Sequence, residues 1–284
     1  MSDGRPGETG DYGREREVAA RIVREAAELV RGYHRSEELV IESKAGNEPV
    51  TEADRAASAL IVGRLADAFP GDVILSEEIP DDRTRLGRER VWMVDPIDGT
   101  SDFILGDSGF VVMIGLVVGG RPTVGAVAHP PTRRVFAGVV GDGAWVEDEG
   151  GARTALHTST VASPPDIRLV ASKTHRTNRI DAVKRALQIT DEINVGSVGL
   201  KIGLVSEAAR DLYVYTGGRT KIWDTCGPEA VLVAAGGKMT DVDGKPLVYD
   251  QAELYHRRGI VASNGALHDF VIATLAPFVS VTDR

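Results

Sequence analysis

The chain has 284 residues, of which 42% are hydrophobic and 26% charged, a composition typical of a soluble globular protein with one large α/β domain or two packed subdomains. Its formal net charge of −9 argues against a nucleic-acid polymer or a membrane surface as partner, because both are bound mainly through Lys and Arg. One cysteine, Cys226, excludes an internal disulfide and a Cys-based zinc site. With neither a membrane-length apolar run nor a signal-peptide pattern, the expected location is cytoplasmic.

The first half of the chain predicts two helices followed by a largely antiparallel sheet. Residues 1–14 are polar and Gly-rich, so we expect a flexible tail there. A 3.6-residue apolar period predicts a helix from Val18 to Tyr33, and Thr51 is a good N-cap for a second helix with Asp54 at its third position. Short apolar runs between turns predict strands at residues 73–75, 91–94, 110–118, 123–128 and 134–140.

The second half predicts an α/β arrangement. Gly, Thr, Ser and Pro become frequent near residues 149–166, which places a subdomain boundary between 15–155 and 156–284. Beyond this boundary, strands are predicted at 167–172, 192–195, 212–215 and 260–263, and helices at 179–187, from about 200, at 228–235 and from 266.

Acidic residues gather where apolar runs end, which suggests a site built from several loops. They are Asp54 in PVTEAD, Glu77 and Glu78 in VILSEE, Asp95 and Asp98 in VDPIDGT, and Asp224 in IWDT. Two carboxylates about 4 Å apart repel by roughly 4 kcal/mol at an effective dielectric near 20, so a cation is expected between them. Mg²⁺ prefers oxygen ligands and often joins carboxylates to a substrate phosphate.

The residues after Asp98 suit a phosphate. Gly99 permits close backbone approach, and Thr100 and Ser101 supply hydroxyls and amides at a predicted helix start. The stretch therefore predicts metal ligands followed by a phosphate-binding turn.

Each acidic cluster also has a simpler interpretation when it is taken alone. Asp54 fits a capping-box acid, the two Glu residues a solvated loop, Asp224 the N-cap of a helix that begins near Pro228, and DPIDGT two successive turns. The joint occurrence of the clusters favours chemistry. No HExxH, G-x-S-x-G, GxGxxG or Walker A sequence is present, which argues against zinc-protease, serine-hydrolase and the corresponding nucleotide-binding mechanisms.

The motifs PVTEAD, SEE, DPIDGT and WDTCGPEAVLVAAGG, in this order, resemble the lithium-sensitive, magnesium-dependent phosphomonoesterases of the inositol monophosphatase superfamily. The resemblance covers residues 15–275 and implies a layered αβαβα sandwich, an α/β (α+β) fold shared with fructose-1,6-bisphosphatase. It implies two or three Mg²⁺ ions held by Glu77, Asp95, the Ile97 carbonyl, Asp98 and Asp224. Asp54, Glu77 and Thr100 are then the expected catalytic residues, which position the attacking water.

Within the superfamily, the segments DGTSDF, ASKTHRT, GSVGLK and GRTKIWDT resemble the CysQ-type 3′(2′),5′-bisphosphate nucleotidases, which remove the 3′-phosphate of adenosine 3′,5′-bisphosphate. Asp102 is a marker of this subfamily rather than a ligand. A Glu that contacts sugar hydroxyls in the inositol enzymes is replaced here by Gly217. The expected substrate-binding residues are Ile97, Asp98, Gly99, Thr100, Lys173, His175, Ser197, Lys201, Arg219 and Asp224, and Lys221 adds a further cation.

Three interpretations of function remain open at this level. The first is a bisphosphate nucleotidase, and the second is a broader phosphatase for inositol or sugar phosphates. The third is a metal-dependent binding protein without catalysis, against which the complete set of acids and Thr100 argues. The partner is a small phosphate ester in the first two cases, and the resemblance implies a homodimer because related enzymes are often dimers.

Overall fold

The computed structural model describes residues 11–34, 36, 40–43, 49–174 and 178–279. The helices of this part of the chain are α1 (Gly13–Tyr33), α2 (Glu52–Ala68), α3 (Thr100–Ile104), α4 (Asn178–Leu187), α5 (Val198–Ser206), α6 (Ile222–Ala234) and α7 (His268–Val279). The strands are β1 (Ile41–Ser43), β2 (Pro49–Thr51), β3 (Val73–Ser76), β4 (Arg90–Asp98), β5 (Val111–Val118), β6 (Arg121–His129), β7 (Arg134–Val139), β8 (Gly143–Glu147), β9 (Arg153–Ala155), β10 (Arg168–Ser172), β11 (Asp191–Val195), β12 (Leu212–Tyr215), β13 (Lys238–Thr240) and β14 (Ile260–Ser263).

Two sheets carry the fold. The larger has seven strands in the order β3-β4-β5-β6-β7-β8-β9, and its pairs are antiparallel except for β3 with β4. The smaller has five strands in the order β11-β10-β12-β14-β13, with β10 parallel to both of its neighbours. A separate short pair joins β1 to β2.

The helices form three layers around the two sheets. Helices α1 and α2 pack on one face of the seven-stranded sheet, α5 and α6 lie between the sheets, and α4 and α7 cover the outer face of the five-stranded sheet. Both faces of each sheet are apolar, so each needs a helical layer to exclude water. The resulting αβαβα sandwich confirms the predicted fold class.

A groove of three glycines brings α6 close to the larger sheet. Gly115, Gly125 and Gly138 are in register on β5, β6 and β7. A side chain at Gly115 would overlap Cys226, and one at Gly125 would overlap the Gly227 carbonyl. The missing side chains therefore let the α6 backbone rest on the sheet, and this contact sets the depth of the first turn of α6, which carries Asp224.

The predicted elements are found, but two helix boundaries differ and five short strands were not predicted. α6 begins at Ile222, not near Pro228, because the Asp224 carboxylate accepts the Lys221 backbone N–H and stabilises an earlier start. α1 begins at Gly13, inside the predicted tail. The short strands β1, β2, β8, β9 and β13 were not predicted. Among the residues described, no helix has the length and apolar character needed to cross a membrane.

Candidate active site

A bulge in β4 turns Asp95 and Asp98 toward the same side of the sheet. Residues three apart on a regular strand point to opposite faces. Here Asp95 pairs with Met113 and Asp98 with Val111, so β4 has one residue more than β5 between the two pairs. Because paired residues share a face, both carboxylates point to the side where Met113 and Val111 meet α6.

The acids on this side interact unfavourably with one another. Asp95 is 1% exposed, and its Oδ1 atom has no hydrogen-bond partner among the described residues. Burial raises the pKa of Asp95 well above its ordinary value, and the charges of Glu77, Asp98 and Asp224 add to the effect. Burial and the charges of Asp98 and Glu77 likewise raise the pKa of Asp224. The nearby cations therefore do not compensate the full charge of these acids.

Asp98 connects the larger sheet to the start of α5. Its Oδ2 accepts hydrogen bonds from Ser197 Oγ at 2.6 Å and from the Gly199 backbone N–H at 2.8 Å. Ser197 in turn caps α5 by accepting the Leu200 N–H at 3.0 Å. Burial raises the pKa of Asp98, although the Lys201 ammonium and these hydrogen bonds act in the opposite direction.

Thr100 connects the bulge to α2. Its hydroxyl donates to the Ile97 carbonyl at 3.0 Å and lies 3.5 Å from Asp54 Oδ1. The other oxygen of Asp54 accepts from the Thr51 backbone N–H at 2.7 Å and from the Thr51 hydroxyl at 2.6 Å. Asp54 is therefore a capping-box acid and also reaches the predicted site.

Gly99 has a φ of 97°, and a side chain there would come within 2.5 Å of the Gly109 carbonyl. The turn between the acids and Thr100 therefore favours glycine on two grounds, the left-handed backbone and the lack of space.

These residues line a cleft of about 300 Å³. Of the predicted residues, the structure brings the following to its wall: Glu77, Asp95, Ile97, Asp98, Gly99, Thr100, Ser197, Lys201, Arg219 and Asp224. Asp54 lies behind Thr100 and is 2% exposed. His175 is outside the described residues.

Lys173 is not a wall residue, which is contrary to its predicted role in substrate binding. Its ammonium pairs with Asp102 at 3.3 Å and with Asp107 at 2.5 Å. Asp102 is 4% exposed and was predicted only as a subfamily marker. The Lys173 ammonium therefore pairs with two carboxylates, because the buried Asp102 attracts it.

Lys201 and Lys221 bring positive charge to the cleft wall. Lys201 is 2% exposed and donates to the Gly196 carbonyl at 3.1 Å. Burial lowers the pKa of Lys201 to about 8, against the opposing effect of Asp98 and Asp102. Lys221 forms an ion pair with Glu77 at 3.1 Å. Sequence reasoning named Lys221 as a cation but missed this ion pair, because the partners are far apart in the chain.

A family model described as the inositol monophosphatase family matches residues 12–279. The chain belongs to this family. Among its relatives, the 3′(2′),5′-bisphosphate nucleotidase CysQ of Escherichia coli (strain K12) is 36% identical over 238 residues, which are 83% of this chain and 93% of the relative. The histidinol-phosphatase of Mycobacterium tuberculosis is 33% identical over 261 residues, 91% of this chain and 96% of that one.

A solved structure of an inositol monophosphatase from Thermotoga maritima shares the fold with a TM-score of 0.79. It is 24% identical and covers 94% of this chain and 98% of its own. Together with the curated relatives, the family match makes this chain a phosphatase of the inositol monophosphatase family.

The family is generally metal-dependent, and the residues of this family member fit Mg²⁺ in their chemistry. The donors are hard carboxylate and carbonyl oxygens, and Asp95 Oδ1 is a buried oxygen that no described residue contacts by a hydrogen bond. Within the described ranges, no three His, Cys, Asp or Glu side chains are already arranged as a metal site. The argument for Mg²⁺ therefore rests on the oxygen donors and on the mutual repulsion of the acids, which a cation would relieve.

Proposed function

We propose that the chain is a Mg²⁺-dependent phosphomonoesterase that removes the 3′-phosphate of adenosine 3′,5′-bisphosphate. The observation that carries the proposal is the β4 bulge, which turns Asp95 and Asp98 toward one cleft beside Thr100. The same cleft also has Lys201 and Arg219 in its wall. The acid cluster suits metal ions, and the nearby cations suit a second anionic group. Together they favour a substrate with two phosphates.

The metal ions would be held by Glu77, Asp95, Asp98, Asp224 and the Ile97 carbonyl. When bound, Mg²⁺ neutralises the acids and lowers the pKa of a coordinated water. The amides that follow the Gly99 turn would hold the phosphate.

Thr100 and Asp54 supply the route for the proton. Thr100 Oγ1 has lone pairs that can accept a hydrogen bond from the attacking water. The Thr100 hydroxyl would turn from the Ile97 carbonyl toward Asp54 Oδ1, 3.5 Å away. As the water oxygen bonds to phosphorus and the bond to the 3′-oxygen breaks, Thr100 would take a proton from the water and pass its own proton to Asp54. Solvent supplies the proton for the departing 3′-oxygen, so no covalent phosphoenzyme is needed.

Charge in the cleft supports this substrate over the alternatives. Adenosine 3′,5′-bisphosphate brings a second phosphate, for which Lys201 and Arg219 are suitable partners. Histidinol phosphate, suggested by a relative of the chain, carries an amine that these cations would repel. Gly217 has no side chain with which to bind inositol hydroxyls.

The test is phosphate release from adenosine 3′,5′-bisphosphate, histidinol phosphate and inositol 1-phosphate, measured side by side with Mg²⁺. We expect the highest kcat/KM for the bisphosphate. Arg219→Gln should lower kcat/KM for the bisphosphate on the order of tenfold or more and leave that for the two monophosphates within about threefold. A higher kcat/KM for either monophosphate in the wild-type enzyme would overturn the substrate, and no release from any of the three would overturn the activity.

A further inference from the structure

Lys221 contacts two of the acids that are proposed to bind metal. Its ammonium pairs with Glu77 Oε1 at 3.1 Å, and its backbone N–H donates to Asp224 Oδ2 at 2.8 Å. Lys221 is also the N-cap of α6. The residue that starts the helix therefore also brings a positive charge into the acid cluster.

The surroundings hold this ammonium close to the acids. The Lys221 side chain is 13% exposed and that of Glu77 is 16% exposed, so solvent screens their attraction only weakly. The ammonium lies 5.3 Å from the centre of the Trp223 ring and 6.0 Å from that of Tyr255, within the range of cation–π attraction. A β-bridge between Lys221 and Tyr255 fixes the backbone at this point.

We propose that Lys221 is a built-in counter-cation that competes with the divalent metal for Glu77 and thereby weakens metal binding. The inference rests on the proposed metal-dependent function. Without metal, the ammonium compensates part of the negative charge of Glu77 and Asp224. When the ion binds, Glu77 contacts both the ion and the Lys221 ammonium, and these two cations repel each other. The free energy of metal binding is therefore less favourable than the acids alone would make it.

This role differs from that of an ordinary stabilising ion pair in its effect on metal affinity. An ion pair that only orders the loop would, once removed, leave metal binding unchanged or weaker, because the ligands would be less well held. A competing cation, once removed, leaves metal binding tighter. The sign of the change therefore separates the two roles.

The experiment is calorimetric titration of Mg²⁺ into the metal-free protein, with Lys221→Met as the variant. We expect Mg²⁺ to bind the variant about tenfold more tightly or more, because the repulsion between a unit charge and a nearby divalent ion reaches this size even in a water-like dielectric and is larger where solvent screens weakly. The melting temperature should fall in chelator and rise more than that of the wild type when Mg²⁺ is added. Wild-type or weaker Mg²⁺ affinity in the variant would overturn the proposal.

Two further variants serve as controls. Lys221→Arg keeps the charge and should bind Mg²⁺ within about threefold of the wild type. Arg219→Met removes a cation from the same cleft wall and should change the affinity less than Lys221→Met does, whereas an equal change would overturn the specific role of Lys221. If Lys221→Met does not fold without metal, Lys221→Gln is measured in its place, with the same expected sign.

The outcome for the wild type distinguishes this inference from the proposed function. A wild-type protein that binds no Mg²⁺ would contradict the metal-dependent function itself. Wild-type binding with no tightening in Lys221→Met would contradict the role of Lys221 alone.

Discussion

Glu229 is a buried carboxyl on α6 that links the stability of the fold to pH. Its Oε2 accepts a hydrogen bond of 2.5 Å from Tyr249, whose hydroxyl is 3.0 Å from Thr225 Oγ1. Thr225 also bonds to His256 at 2.8 Å and is the residue after Asp224. Glu229→Gln removes the titrating group and keeps an oxygen that can accept from Tyr249.

The burial of Glu229 determines how much the free energy of unfolding changes with pH. Burial raises the pKa of Glu229 from 4.5 to about 7, although the hydrogen bond from Tyr249 opposes the change. Between these two values the folded protein holds a proton that the unfolded chain has released, so stability falls as the pH rises. Each pH unit in this window corresponds to about 1.4 kcal/mol, which gives a loss of about 3 kcal/mol that is complete above pH 7.

The assay is urea unfolding of wild type and Glu229→Gln in chelator, from about pH 5 to about pH 8, followed by circular dichroism. Burial lowers the pKa of His256 and of His268 to about 4, so both histidines titrate in the opposite sense. They are present in both proteins, and the difference between the two stabilities therefore isolates Glu229.

We expect the variant to gain about 2.5 kcal/mol relative to the wild type between about pH 5 and about pH 8, since part of the total change lies below pH 5. A difference that stays constant within about 0.5 kcal/mol would refute the reasoning, because Glu229 would then have the same affinity for protons in both states. Glu89→Gln removes an exposed carboxyl and is the matched control.

Three other predictions concern the metal site, the glycine groove and the cleft. Asp95→Asn should lower Mg²⁺-dependent phosphate release on the order of a thousandfold. It should also raise the melting temperature in chelator, because it removes a buried charge. Unchanged phosphate release would contradict the role of Asp95 as a metal ligand. Gly125→Ala should cost about 1–3 kcal/mol or more in urea unfolding because α6 must move, while Gly63→Ala, with open space on α2, should not destabilise. With the pKa of Lys201 at about 8, KM for the bisphosphate should rise as the pH increases past 8, and Lys201→Met should have a high KM that no longer shows this rise.

Much of the fold could be predicted because its signals are local. The period of α1, the capping box of Thr51 and Asp54, and the apolar runs of β4 to β7 are properties of neighbouring residues. The start of α6 was missed because its N-cap is a lysine, which carries no start signal, and because Pro228 is typical of a first turn. The five short strands were missed because an element of three to five residues is too short to show a clear period.

The sequence by itself determined the chemistry of the site, since the acids, Gly99 and Thr100 are recognisable by type and order. Only the tertiary structure decided how these groups act. The β4 bulge turns Asp95 and Asp98 to one face, Lys173 is directed to Asp102 and Asp107, and Lys221 reaches Glu77. These contacts join residues on different elements. They depend on the register of the strands and on how closely α6 packs against the sheet, and both are set by the packing of the whole chain.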